Sequence, residues 1–227
     1  RQYQGLFPEY IKLDQATPYA EVKDGLIRYS ALDSAWLHVA LGMVAESLKE
    51  IDPALAQQAA TYVEDADYRA LLNPANQLLR HGLTVEASTG NVRESWPYDY
   101  GDKNSEARVV VAALVGMGKL DQSAWTQMGY AWTTREGTDV STSFDLSAFT
   151  ELTGNVFFDE MQLAPRTFGR SHAGYVGASQ RLAVSRDMKL YGWAPSTTAD
   201  GGYTAFGLDN AGVVTPDAAA LLATTGD

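Results

Sequence analysis

From Ala107 to Met117 the chain reads ARVVVAALVGM, and no other stretch limits the fold so strongly. At helical spacing Val109, Val110, Val111, Ala112, Ala113, Leu114, Val115 and Met117 cover every side of the turn. Such a helix has no face to offer water and belongs in a core. Asn104 or Ser105 is its expected cap, and Gly116 and Gly118 end it. Glu106 stands in the predicted first turn, where the helix dipole and free N–H groups favour the ionised carboxylate. That suits a base, a nucleophile or a hydroxyl ligand better than a general acid, although an ion pair at the helix start is an equal reading. Arg108, two residues on, faces away from Glu106 on a regular helix.

The same periodicity predicts a helix from Asp33 to Glu50, with Asp33 or Ser34 as cap and Trp36, Val39, Ala40, Met43, Val44 and Leu48 on the apolar stripe. Asp52-Pro53 starts another, making a helical hairpin. Between Leu78 and Val92 the residues alternate around Thr89-Gly90, as in a small β-hairpin or an extended loop. Further helices are expected at Ser123–Gly129, after Ser143, from Ser171 with Tyr175, Ala178 and Leu182 on one stripe, and after Thr215-Pro216. Tyr191–Val214 is too long for a simple connector. The predicted class is all-α, with helical hairpins, one β-hairpin insertion and a single domain over residues 1–227.

The chain has 227 residues, within reach of one core, and a formal net charge of −11 without a Lys/Arg cluster. Nucleic-acid binding therefore lacks its electrostatic footprint. No apolar run is long enough to predict a membrane span. The absence of cysteine excludes disulfides, thiolate nucleophiles and Cys-based metal sites. His38, His81 and His172 lack metal-ligand spacing, so no metal is expected. The start at Arg1, without methionine or a signal-like segment, predicts a processed protein or a fragment.

Flat aromatic faces and carboxylates gather in the predicted loops, the mixture that carbohydrate sites need. Trp96, Tyr98, Asp99, Tyr100, Asp102 and Glu106 form one group; Trp193, Asp200, Tyr203, Phe206 and Asp209 form another. Trp96 and Trp193 are the expected stacking residues, whereas Trp36 and Trp125 are expected in the core. Arg166, Arg170 and His172 are possible donors to a ligand.

Four ordered motifs, SALDSAWLHVALGMVAE, PYDYGDKNSEARVVVAALVGMGKL, APRTFGRSHAGYVGASQ and YGWAPSTTADGGYTAFGLDNAGVVTPDAAALL, make the chain resemble the glucoamylase-like domain of endo-β-1,2-glucanases and cyclic β-1,2-glucan synthases. The resemblance implies an α/α toroid acting on oligo- or polysaccharides without a cofactor, by hydrolysis or transglycosylation. It places Asp33, Asp99, Glu106, Arg108, Asp200 and Tyr203 near the cleft. A full toroid takes about a dozen helices and well over about 300 residues, so part of the ring, its N-terminal hairpins, is expected to be missing. The family often carries Glu directly after the Phe of the segment SFDLSAFTELTGN; here that position is Thr150. Glu151 or Glu160 is then the candidate acid, beside Glu106 and Asp99 as base or ligand. Trp96, Tyr98, Trp193 and Tyr203 are stacking candidates, and Asp33, Arg108, Arg166, His172 and Asp200 candidate substrate ligands. The resulting expectation is a secreted or periplasmic endo-β-glucanase, with a non-catalytic carbohydrate-binding protein or a transglycosylase as alternatives.

Overall fold

The computed structural model describes residues 3–12, 17–18 and 25–225. The chain gathers into two compact units, residues 1–101 with 110–128, and residues 102–109 with 129–227. Neither unit is continuous in sequence, so no linker composition marks a boundary between them.

In the first unit, β1 (Ile11–Lys12) pairs antiparallel with β2 (Thr17–Pro18). Strand β3 (Leu26–Ser30) runs directly into helix α1 (Ala31–Leu48). The cap is Ser30, whose hydroxyl oxygen accepts the Asp33 N–H at 3.2 Å. The expected caps Asp33 and Ser34 thus lie inside the helix, because it begins earlier than the apolar stripe reveals, directly after β3.

Helix α2 (Pro53–Asp65) returns along α1. Asp52 caps it by accepting the Leu55 N–H at 3.0 Å, and Pro53 fills the first turn, where a missing N–H costs nothing. Replacing Asp52 by alanine should lower stability by about 1 kcal/mol, measured by urea unfolding.

Strands β4 (Gly82–Glu86) and β5 (Val92–Ser95) form the expected hairpin, but β3 pairs with β4 on its other side, making a three-stranded sheet. Tyr29, Leu71, Leu79, Leu83 and Val85 are buried in this unit. His38 is fully buried with Nδ1 2.7 Å from the Tyr68 hydroxyl.

The apolar run forms α3 (Ala107–Gly116), and the chain passes from the second unit to the first within it. Val109, Val110, Val111 and Leu114 are buried. The Lys119 N–H bonds back to Leu114 O at 2.8 Å, and Gly118 takes a left-handed φ of +70° after the helix. The short helix α4 (Ser123–Thr126) follows.

The rest of the second unit runs β6 (Trp132–Arg135), β7 (Thr138–Ser141), α5 (Ala148–Phe157), α6 (Glu160–Leu163), α7 (Phe168–Ser185), β8 (Ser196–Thr197), β9 (Tyr203–Thr204) and α8 (Pro216–Ala223). Strands β6 and β7 form one hairpin, and β8 and β9 another. Leu152, Tyr175, Ala178, Leu182, Trp193 and Leu222 belong to its core. Among the described residues the fold has eight α-helices and four small antiparallel sheets. The all-α expectation is therefore corrected to helix-rich with several hairpins. Strands this short carry too few alternating residues to register in sequence.

Candidate functional site

In the first unit, the loop from Asn73 to Leu78 is built from two Asn side chains that bond to their own backbone. Asn73 Oδ1 accepts the Ala75 N–H at 3.0 Å, and Asn76 Oδ1 accepts the Leu78 N–H at 3.0 Å. Such Asx turns need no partner from elsewhere in the chain. With both carbonyl oxygens turned inward, both amide nitrogens point outward and donate to Asp99 Oδ2, at 2.7 and 2.9 Å. Asp99 Oδ1 receives no hydrogen bond from the described residues.

Around this half-buried carboxylate, His81 stacks on Tyr100 with centroids 4.2 Å apart and planes at 22°. Tyr98 is 69% exposed. Burial pushes the His81 imidazole below its ordinary pKa, and the Asp99 charge opposes that shift. A carboxylate with one oxygen pinned by amides and the other available can accept a hydroxyl or a proton. Trp96 is half-buried; its Nε1–H donates to Thr84 Oγ1 at 3.0 Å, and the Arg28 guanidinium lies 4.6 Å from its ring centroid.

In the second unit, Arg108 occupies the centre of a buried polar network. Nε and Nη2 donate to the two oxygens of Glu160 at 2.9 and 3.0 Å; Nη1 reaches Thr150 O and Nη2 reaches Glu151 O, each at 2.5 Å. Nη1 also lies 3.3 Å from Asn104 Oδ1. Gly154 leaves room for this pair, since a Cβ there would stand 2.4 Å from both Glu160 carboxylate oxygens. Glu151 Oε2 accepts from Asn104 Nδ2 at 2.7 Å and from the Ser141 hydroxyl at 3.2 Å. Burial pushes the Glu151 pKa up, against the opposing pull of Arg108, Ser171, Asn104 and Ser141.

These positions correct several expectations. Arg108 is 1% exposed and spends its donors inside the protein, so it holds α5 and α6 instead of a ligand. Glu160 and Glu151 are 5% and 1% exposed, each engaged by groups inside the protein; a raised pKa suits a general acid only where a leaving group can reach it. His172 is fully buried, with Nε2 3.0 Å from Glu160 Oε2 but not aligned as a hydrogen bond. Trp193 is fully buried too, because its loop residue pairs with Val214 and accepts the Ala148 N–H at 2.8 Å, drawing the ring into the core.

Burial, helped by the Arg108 charge, lowers the His172 pKa to about 3. The unfolded chain therefore binds a proton near pH 6.5 that the folded chain refuses until about pH 3. His172 should subtract stability as pH falls through that window, on the order of a few kcal/mol. Urea titrations between pH 7 and 4 should show a shallower acid loss in His172→Gln than in the parent.

Glu106 is half-buried in the turn just before α3, one residue outside the expected first turn. Asp33 is exposed in the first turn of α1, and Arg166 is exposed before α7. Asp200 lies in the exposed turn of the β8–β9 hairpin, where Thr198 and the Gly202 N–H keep its carboxyl below the usual range. Tyr203 on β9 is 74% exposed. Asp99 falls in the first unit, while Glu106, Asp200 and Tyr203 fall in the second. Sequence reasoning missed Asn73 and Asn76; the pattern NPANQ signals a turn but not its carboxylate partner.

No protein-family model matches the sequence, and no curated protein matches it. A solved structure from Bacteroides uniformis ATCC 8492, described as a "putative glucoamylase", matches with a TM-score of 0.68 at 10% identity. The match covers 99% of this chain, which spans 61% of the length of that one. At this identity the likeness speaks for the fold alone: the chain has a glucoamylase-like fold.

Proposed function

We propose that this protein is a glycoside hydrolase of the endo-β-glucanase type, acting on a polysaccharide outside the cytoplasm. The observation that carries the proposal is the fold likeness along 99% of the chain to a structure described as a "putative glucoamylase". In this reading Glu106, in the second unit, is the working base or nucleophile, and Asp99, in the first, is a carboxylate able to take a sugar hydroxyl. Asp99 has a free oxygen and a fixed one, and Glu106 is half-buried at the start of the apolar helix. Within the first unit Trp96 and Tyr98 are the stacking candidates and Asp33 a candidate hydroxyl ligand; within the second, Tyr203 is the stacking candidate and Arg166 and Asp200 the candidate hydroxyl ligands. No cofactor enters the scheme.

Incubation with linear β-1,2-, β-1,3-, β-1,4- and α-linked glucans, followed by product chromatography, tests it. Cleavage of one β-linkage is expected, with a loss of about 10² or more in Glu106→Gln. A Glu106→Gln protein as active as the parent, or no product from any glucan, sinks the assignment.

One observation favours binding without turnover as a second reading. Thr150 stands where the resemblance puts Glu, and its hydroxyl is tied to Asp145 Oδ1 at 2.8 Å. Glucan binding with no product would support that reading, and cyclic or elongated products would point to transglycosylation instead.

A further inference from the structure

The second unit contains a cavity of about 270 Å3 lined by Arg135, Phe144, Asp145, Leu146, Asp209 and Asn210, among others. Pockets that take drug-sized ligands measure roughly 300–1,000 Å3, so this volume suits a single ring better than a chain.

Its walls are held firmly. Arg135 on β6 grips Asp209 through Nε and Nη2, the latter at 2.8 Å from Oδ2, and Nη1 donates to Thr133 Oγ1 at 2.6 Å. The Leu208 N–H bonds to Leu146 O at 3.0 Å. Gly207 lets the two loops touch, since a Cβ there would stand 1.8 Å from Asp145 O. Leu146 takes a φ of +50°, a costly conformation for a bulky residue that surrounding contacts must enforce.

Against these walls, Phe144 is 94% exposed. A phenyl ring this open contributes almost nothing to the core, yet it borders the cavity with a flat apolar face. Asp145 Oδ1 is taken by the Thr150 hydroxyl at 2.8 Å and the Ser147 N–H at 3.1 Å, while Oδ2 has no hydrogen bond from the described residues. The Asn210 carboxamide is exposed and makes no side-chain hydrogen bond within the described residues. Because Asp209 already neutralises Arg135, the uncompensated charge in the lining is the negative one on Asp145.

We propose that this cavity seats one neutral hexopyranose ring, with Phe144 against the ring face and Asp145 and Asn210 on its hydroxyls, and that it rejects anionic sugars. The inference rests on the carbohydrate part of the function proposed above and is independent of hydrolysis. A sugar presents an apolar face and a rim of hydroxyls, matching one aromatic plane beside an acceptor and an amide. A carboxylate-bearing sugar would meet Asp145 without a free cation to offset it.

Isothermal titration with short linear β-1,2-, β-1,3- and β-1,4-gluco-oligosaccharides, and with oligogalacturonate of matched length, provides the test. At least one neutral oligosaccharide should bind, about ten-fold or more tighter than oligogalacturonate. Phe144→Ala should weaken that binding about ten-fold, and Asp145→Asn should narrow the gap between neutral and anionic sugars. Unchanged thermal midpoints in both variants establish that they fold. The proposal is overturned if no neutral oligosaccharide binds, if Phe144→Ala binds as the parent does, if oligogalacturonate binds equally well, or if Asp145→Asn leaves the gap intact. Loss of binding in Phe144→Ala with no glucan ever cut keeps the cavity and removes the hydrolase. Glucan cleavage with binding unaffected by Phe144→Ala does the reverse.

Discussion

Arg108→Ala should destabilise the protein by about 3–5 kcal/mol, a large part of the roughly 5–15 kcal/mol that holds a typical domain together. The loss has two sources. Removing the guanidinium strands the Glu160 carboxylate, 5% exposed, without the two charge-assisted bonds that compensate its burial. It also withdraws the donors to Thr150 O and Glu151 O, which tie the second unit's residues 102–109 to α5. Arg108→Lys should rescue little, because one ammonium cannot reproduce a bidentate fork while also reaching two carbonyls. Glu160→Gln alone should cost less than Arg108→Ala, since it leaves a neutral acceptor and not a bare buried carboxylate. Urea unfolding of the three variants checks the order; an Arg108→Ala protein within about 1 kcal/mol of the parent would mean the network contributes little.

Trp193→Ala should cost about 3–5 kcal/mol, the range for removing a fully buried aromatic ring and leaving a cavity. Trp193→Phe makes a sharper comparison. Trp193 Nε1 is buried without a hydrogen-bond partner, so the indole N–H is a liability in this core and phenylalanine removes it. The phenyl substitution should therefore cost under about 2 kcal/mol despite its smaller volume. If the two variants lose equal stability, the ring's volume is not what holds α5, α7 and α8 around it. If neither loses stability while glucan binding falls, Trp193 reaches a ligand after all.

Helix positions were legible where the signal is local. Asp52-Pro53 and Thr215-Pro216 each place a cap and a pre-set φ at consecutive residues, and α2 and α8 begin there. The Ala107–Gly116 helix is apolar on all sides and is found with a buried face. Strands of two to five residues were mostly invisible; only the hairpin around Thr89-Gly90 carried alternation and a turn together. Loop aromatics misled for the same reason. Gly and Pro beside Trp193 correctly mark irregular backbone, but irregular backbone says nothing about which way the ring turns.

What the sequence by itself determined is most of the helices, the caps at Asp52 and Thr215, the lack of thiol chemistry and the concentration of carboxylates and aromatic rings outside the helices. Each depends on residue identity or on contacts within about four positions along the chain. Tertiary structure alone decided which of those side chains work together. Asn73 meets Asp99 across 26 residues, Arg108 meets Glu160 across 52, and Arg135 meets Asp209 across 74. A carboxylate's neighbours set whether it is a buried counter-ion like Glu160 or half-open like Asp99. Those neighbours arrive only when distant segments pack, because desolvation and charge pairing act through space and leave no periodic mark along the chain.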